Sequence, residues 1–122
     1  MYSEQCELPA TTVEAINRAR VSGRRVIAVG TTSVRVLETA GRALNRPDAP
    51  LEPFLGPTSL FIHPGFEFKV VDALITNFHL PRSSLLMLVA AFAGKDQMNH
   101  AYQEAVRLRY RFFSFGDAMF ID

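Results

Sequence analysis

The stretch Ala73–Leu88, ALITNFHLPRSSLLML, decides the fold. Its two arms are apolar, which is typical of a buried strand followed by a buried helix. Its middle, Thr76–Ser84, places an amide, an imidazole and a guanidinium between those arms. A strand that passes through a short connection into a helix is the repeating unit of α/β proteins. The polar connection is therefore either an ordinary loop or part of a functional site.

A second strand-to-helix unit lies upstream of this stretch. Arg25–Gly30, RVIAVG, is short and rich in β-branched residues, which predicts a strand buried on both faces in a parallel sheet. Residues 31–44 then carry Val34, Leu37 and Leu44 on one side of a helix. The two units together predict a layered α/β domain with a largely parallel or mixed sheet.

The remaining segments complete this expected domain. Thr11–Glu14 has the form of a capping box, which predicts the start of a helix. Asn45–Ser59 is rich in proline and predicts a long loop. Ser83–Gly94 and Asp96–Tyr110 predict a buried and an amphipathic helix, and Arg111–Ile121 predicts one or two strands.

Composition excludes several classes of protein. A chain of 122 residues with 48% hydrophobic content suits one folded domain, and its net charge of +1 creates no general attraction to nucleic acid. The single cysteine excludes an internal disulfide and favours a reducing compartment, so we expect a cytoplasmic location. No apolar run has membrane-spanning length. The three histidines and one cysteine have no ligand spacing, so we expect no metal site.

Three polar segments follow the predicted strands directly: Gly30–Ser33, Thr76–His79 and Ser114–Asp117. Each has an ordinary interpretation, as a helix N-cap, a solvated loop or a turn. Ligands of open α/β sheets, however, bind beyond the carboxyl ends of the strands. If the strands are parallel neighbours, the three segments meet at one edge of the sheet and form a polar site that tolerates anions.

Long stretches of the sequence resemble one family. RVIAVGTTSVRVLE (residues 25–38), FIHPGFEFKVVDALITNFHLPRSSLLMLVAAFAG (residues 61–94) and YRFFSFGDAMFI (residues 110–121) are similar to the C-terminal portion of S-adenosylmethionine:tRNA ribosyltransferase-isomerases. The resemblance implies a transferase and isomerase of queuosine biosynthesis. Such an enzyme moves the ribosyl group of S-adenosylmethionine onto 7-aminomethyl-7-deazaguanine at the tRNA wobble position and gives epoxyqueuosine. S-adenosylmethionine is then a consumed substrate, no other cofactor is expected, and the partner is a tRNA that carries the deazaguanine precursor.

The resemblance also implies roles for individual residues. The residues expected to be catalytic are Asn77, His79 and Asp117, with His79 as a proton shuttle. Those expected to bind the substrate are Gly30, Thr31, Thr32, Ser33 and Thr76. Those expected to contact tRNA phosphates are Lys69, Arg82 and Arg111.

Family members are much longer than this chain, which changes what is expected of it. Residues 1–122 correspond to the C-terminal part of the α/β domain of a larger two-domain enzyme, without the N-terminal part of that domain and without a β-barrel-like insertion domain. Tyr2 stands where a histidine is common in the family. The alternative is therefore a catalytically inactive fragment that acts only as a binding or interaction module. We expect the isolated chain to be inactive and to self-associate through exposed apolar surface.

Overall fold

The computed structural model describes residues 4–79, 83–112 and 116–122. Within these ranges the chain forms five strands and four helices. In chain order they are β1 (Glu4–Leu8), α1 (Ala10–Val21), β2 (Ile27–Val29), α2 (Thr31–Arg42), β3 (Phe54–Thr58), β4 (Ala73–Asn77), α3 (Ser84–Ala93), α4 (Lys95–Arg107) and β5 (Ala118–Ile121). None of the helices in these ranges combines the length and the apolar character that a membrane span requires.

The strands form two sheets. In the larger sheet the strand order is β2-β4-β5, with β2 parallel to β4 and β5 antiparallel to it. In the smaller sheet β1 pairs antiparallel with β3. Parallel strands joined through helices, with one antiparallel strand added, make a mixed α/β sheet. This arrangement confirms the predicted fold class.

One hydrophobic cluster lies between α2 and both sheets. It includes Leu8 from β1, Leu74 from β4 and Val34 from α2, all almost completely buried. Leu88 joins the same cluster from α3. Because these side chains come from distant parts of the chain, the two sheets share one core with α2 and α3, and a second, smaller cluster of Val89, Ala90 and Met98 lies between α3 and α4.

A buried carboxylate fixes the chain immediately before β4. Glu38, on α2, is 0% exposed. Its Oε1 accepts the backbone N–H of Lys69 at 2.8 Å, and its Oε2 accepts those of Val70 and Val71 at 3.0 and 2.8 Å. Gly41 lets this segment approach the helix, because a Cβ at that position would lie 2.8 Å from Cγ2 of Val70. The entry to β4 is therefore held directly against α2.

A buried guanidinium joins α2 to the smaller sheet. Arg35 is 2% exposed, and its Nε donates to the carbonyl oxygen of Leu60 at 3.1 Å. It also donates to the carbonyl oxygen of Thr58 at 3.4 Å and pairs with Oε1 of Glu4 at 3.1 Å. Hydrogen bonds to several acceptors offset the cost of burying this charge. Arg35 and Glu38 thus attach one helix to both sheets.

The strand β2 is shorter and more exposed than predicted. Ala28 is buried, but Ile27 is 43% exposed and Val29 is 66% exposed. The prediction of burial on both faces was therefore wrong. The physical reason is that the core covers only the face of the strand that carries Ala28, whereas Ile27 and Val29 lie on the opposite face.

The ends of the helices also differ from the predictions. The helix α1 begins at Ala10 after Pro9, with no side-chain cap, so the capping box at Thr11 was wrong. Proline suits a helix start because it needs no hydrogen bond from its nitrogen. The helix α4 ends at Arg107 rather than Tyr110, because the backbone turns into a left-handed conformation at Arg109.

The predicted loop over residues 45–59 contains the strand β3. Gly56 and Pro57 argued against a strand, yet Pro57 pairs with Gln5 in a regular antiparallel register. A sheet of two strands has only edge strands, and an edge strand tolerates a proline because one side of its backbone needs no partner. The loop prediction was wrong for this reason.

We predict that Glu38→Gln destabilises the fold by about 2–4 kcal/mol, because an amide replaces one acceptor oxygen with a donor that faces a buried backbone N–H. Urea unfolding followed by circular dichroism measures this loss. The control is Glu52→Gln, since Glu52 is exposed. A Glu38→Gln variant that unfolds at the same urea concentration as the wild type contradicts the proposed anchoring role.

Candidate functional site

The carboxyl ends of β2 and β4 bring two of the predicted polar segments together. Since the strands are parallel, with Val29 opposite Ile75, both end at the same edge of the sheet. The backbone N–H of Gly30 donates to the carbonyl oxygen of Ile75 at 2.8 Å. Gly30–Ser33 and Thr76–His79 therefore lie side by side. We call these two segments the rim.

The first half of the rim is the start of α2. Gly30 is the N-cap residue, with φ 93° and ψ 151°, a conformation that side chains disfavour. A Cβ at Gly30 would meet no other atom within 4 Å, so the backbone faces open space there. The Ser33 hydroxyl donates to the carbonyl oxygen of Val29 at 2.9 Å, whereas Thr31 is buried and Thr32 is exposed. The unpaired N–H groups of this first turn and the helix dipole favour an anionic ligand group.

The second half of the rim is built around a buried histidine. His79 is 9% exposed, and its Nε2 lies 3.0 Å from Oγ1 of Thr76. Burial lowers the pKa of His79 below its usual value near 6.5, because the charged imidazolium would lose its hydration. The ring is therefore neutral at pH 7, the state in which an imidazole can accept a proton.

Tyr102 holds the backbone of this histidine, a role that no sequence pattern indicates. The phenol oxygen of Tyr102 accepts the backbone N–H of His79 at 2.8 Å. Burial raises the pKa of Tyr102, so the phenol stays protonated. Its ring packs edge-on against Phe78, with centroids 5.3 Å apart. Helical spacing placed Tyr102 on the inward face of α4, but no local signal linked it to a residue so far away in the chain.

Of the two other residues predicted to be catalytic, Asn77 belongs to the rim and Asp117 lies close to it. Asn77 ends β4 opposite Ala118, and its side chain makes no hydrogen bond to any other described residue. Asp117 was predicted to follow a strand but in fact precedes β5, which is antiparallel to β4. Because antiparallel strands start where their neighbours end, Asp117 still reaches the same edge of the sheet.

Asp117 is already paired within the described structure. Its Oδ2 accepts the backbone N–H of Arg111 and lies 3.3 Å from Nε of the same residue. The backbone hydrogen bond and the guanidinium both lower the pKa of Asp117, so it is a carboxylate at neutral pH. The Arg111 side chain nevertheless remains 67% exposed. It can contact a ligand and its carboxylate partner at the same time.

The predicted phosphate contacts do not all come together. Lys69 is exposed, but its backbone N–H is bound to Glu38 and its Cβ lies near Gly41, toward the end of α2. The rim lies at the start of that helix, about 15 Å away at 1.5 Å per residue. Arg82 lies outside the described residues, as do Tyr2 and Ser114.

A cleft of about 630 Å³ opens beside the first half of the rim. Its lining includes Val29, Thr32 and Ser33 on one side and Cys6 on the other. This volume suits a small-molecule ligand. Burial raises the pKa of the Cys6 thiol, and Sγ donates to the carbonyl oxygen of Gly56, so this residue is not an activated nucleophile. Among the described residues, no three His, Cys, Asp or Glu side chains converge on one point as metal ligands.

Comparisons with known proteins agree with this architecture. The family model described as "Queuosine biosynthesis protein" matches residues 1–121. The chain is 60% identical over 121 residues to the S-adenosylmethionine:tRNA ribosyltransferase-isomerase of Natranaerobius thermophilus, covering 99% of this chain and 34% of that protein. The crystal structure of S-adenosylmethionine tRNA ribosyltransferase from Thermotoga maritima superposes with a TM-score of 0.86 at 59% identity, covering 95% of this chain and 40% of that one. The chain thus spans about a third of the length of the curated relative.

The buried state of His79 predicts how stability depends on pH. Because its pKa is lowered in the folded state, the unfolded chain binds the proton first as the pH falls below about 6.5. The stability of the wild type relative to His79→Gln should therefore be constant above that pH and decrease below it. Urea unfolding of both proteins at about pH 7.5 and about pH 5.5 measures the difference. If the difference in unfolding free energy between the wild type and His79→Gln is the same at both pH values, the imidazole is not buried in its neutral form.

Proposed function

This chain belongs to the queuosine biosynthesis protein family, and from that premise we propose that it supplies part of the active site of an enzyme that transfers the ribosyl group of S-adenosylmethionine to tRNA. The acceptor is 7-aminomethyl-7-deazaguanine at the wobble position, and the product is epoxyqueuosine. S-adenosylmethionine is consumed, and adenine and methionine are released. Such an enzyme works where tRNA is modified, in the cytoplasm.

The single observation that supports this proposal best is the meeting of two polar segments at one edge of the sheet. Gly30–Ser33 offers backbone N–H groups at a helix start, and Thr76–His79 offers an amide and a neutral imidazole. The cleft beside them is large enough for a small molecule. An anion-binding helix start next to a potential base is what a substrate with a carboxylate and a removable proton requires.

We assign the start of α2 to the methionine or ribose part of S-adenosylmethionine. The N–H groups of Thr31 and Thr32 lie in the first turn, where the helix leaves them without helical partners. A carboxylate bound there gains charge-assisted hydrogen bonds and the favourable end of the helix dipole. The open space at Gly30 lets the ligand approach the backbone closely.

We assign the proton transfer to His79. The rearrangement of the ribose begins with removal of a proton close to the sulfonium, whose positive charge makes that proton more acidic. A neutral imidazole can accept it, and the hydrogen bonds of His79 to Thr76 and Tyr102 hold the residue in place. Asn77 adds to this half of the rim a side-chain amide that can bind a sugar hydroxyl or the deazaguanine edge.

Substrate binding can be tested with two glycine variants. Gly30→Ala should weaken S-adenosylmethionine binding to the chain by about tenfold or more, because a methyl group enters the space that the ligand occupies. Gly23→Ala is the matched control, since Gly23 also has a positive φ and open space around it but lies beyond the end of α1. Isothermal titration calorimetry measures both affinities. Equal affinity for Gly30→Ala and the wild type would exclude this part of the rim as the binding site.

The proton-transfer role can be tested in a protein of full family length. In a chimera that carries residues 1–121 in place of the matching part of the Natranaerobius thermophilus relative, His79→Ala should reduce adenine release by about a hundredfold or more. His100→Ala, an exposed histidine on α4, is the control. Turnover of His79→Ala close to that of the unsubstituted chimera would remove His79 from the mechanism. The chain alone is expected to release no adenine.

A further inference from the structure

We propose that Arg109 and Tyr110 form a contact surface for the unpaired loop of the tRNA substrate, with Tyr110 stacking on a base and Arg109 binding a phosphate. This inference rests on the proposed function and adds two residues to it. It follows from the backbone conformation of Arg109, from its charge environment and from the position of Tyr110 next to the rim.

The backbone conformation of Arg109 is unusual. Within the described residues, Arg109 is the one non-glycine residue with a positive φ, at 61°. The backbone N–H of Arg109 donates to the carbonyl oxygen of Val106 at 3.1 Å, and that of Tyr110 donates to the carbonyl oxygen of Ala105 at 2.8 Å. This pair of hydrogen bonds defines the Schellman motif, whose left-handed position is usually occupied by glycine. An arginine at this position indicates that its side chain has a use that a glycine would not serve.

The neighbouring arginines are neutralised, but Arg109 is not. Arg107 binds Oε2 of Glu104 at 2.6 Å, and Arg111 pairs with Asp117. Arg109 is exposed and has no carboxylate partner among the described residues.

The residues outside the described ranges include no acidic side chain. Residues 1–3, 80–82 and 113–115 contain no aspartate or glutamate. The α4 terminus therefore presents one guanidinium that is free to bind an anion. A planar guanidinium suits the bidentate recognition of a phosphate.

Tyr110 connects this guanidinium to the rim. The residue is 46% exposed, and the centroid of its ring lies 6.0 Å from that of Phe78 in an edge-on arrangement. Phe78 is 2% exposed and directly precedes His79. Tyr110 is thus the outer member of an aromatic cluster whose inner member adjoins the proposed base.

An exposed aromatic ring beside a free guanidinium suits single-stranded RNA. Unpaired bases stack on tyrosine rings, and the phosphates between them bind arginine. The bases of double-stranded RNA cannot stack on the ring in this way, because they are already stacked on one another. The wobble base lies in such an unpaired loop, so bases flanking it could reach Tyr110 when the wobble base reaches the rim.

The decisive variant is Arg109→Gly, because the two effects of this change have opposite signs. Glycine is favoured at the left-handed position, so the variant should unfold at the same urea concentration as the wild type or at a higher one. Loss of a phosphate contact should weaken the binding of an anticodon stem-loop RNA and lower the slope of log affinity against log salt by about 0.7–0.9. Tyr110→Leu should weaken binding about tenfold without changing that slope. The control Arg107→Gln should change neither the affinity for the stem-loop RNA nor the salt slope.

The outcomes separate this inference from the proposed function. If the wild type, Arg109→Gly and Tyr110→Leu all bind the stem-loop with equal affinity, the inference is overturned and the proposed function stays intact. Equal binding of a fully paired RNA of the same length also overturns it, because the ring would then contribute nothing. If the chain binds S-adenosylmethionine but not the stem-loop RNA, Arg109 and Tyr110 do not form an RNA contact surface and the inference is overturned. If the chain binds neither S-adenosylmethionine nor the stem-loop RNA, the proposed function itself is contradicted.

Discussion

The position of the rim depends on the carboxylate of Glu38. Segment 69–71 belongs to no strand, so its backbone N–H groups need acceptors before they can be buried. Glu38 supplies them from the middle of α2 and thereby sets where β4 begins. Gly30 starts that same helix, and its backbone N–H donates to the carbonyl oxygen of Ile75 in β4. Both ends of the strand are therefore attached to α2 by hydrogen bonds. The geometry of Thr76–His79 follows from these attachments.

Local patterns were sufficient to predict the main elements and the meeting of Gly30–Ser33 with Thr76–His79. Apolar runs that end in polar residues mark the carboxyl ends of strands, and parallel strands place those ends at the same edge. The strand β3 could not be predicted, because Gly56 and Pro57 are tolerated only through pairing with β1, which local sequence does not encode.

The site was also harder to predict where distant residues define it. A glutamate on a helix usually indicates a solvated face, so the complete burial of Glu38 had no signature in the sequence. The contact between Tyr102 and His79 likewise joins two elements that only the fold brings together. The catalytic roles of Asn77, His79 and Asp117 stay predictions.

The glycine at position 41 has a consequence for how the site forms. The helix α2 has only 12 residues, a length at which isolated helices are marginal, and an internal glycine weakens it further. Gly41 is nevertheless required, because any side chain there would collide with Val70. The helix therefore depends on tertiary contacts for its stability, and these include the burial of Val34 and Leu37 in the core and the docking of segment 69–71, about thirty positions away in the chain. Its anion-binding start and the beginning of β4 should appear in one cooperative step, so that the acquisition of binding competence coincides with folding of the domain.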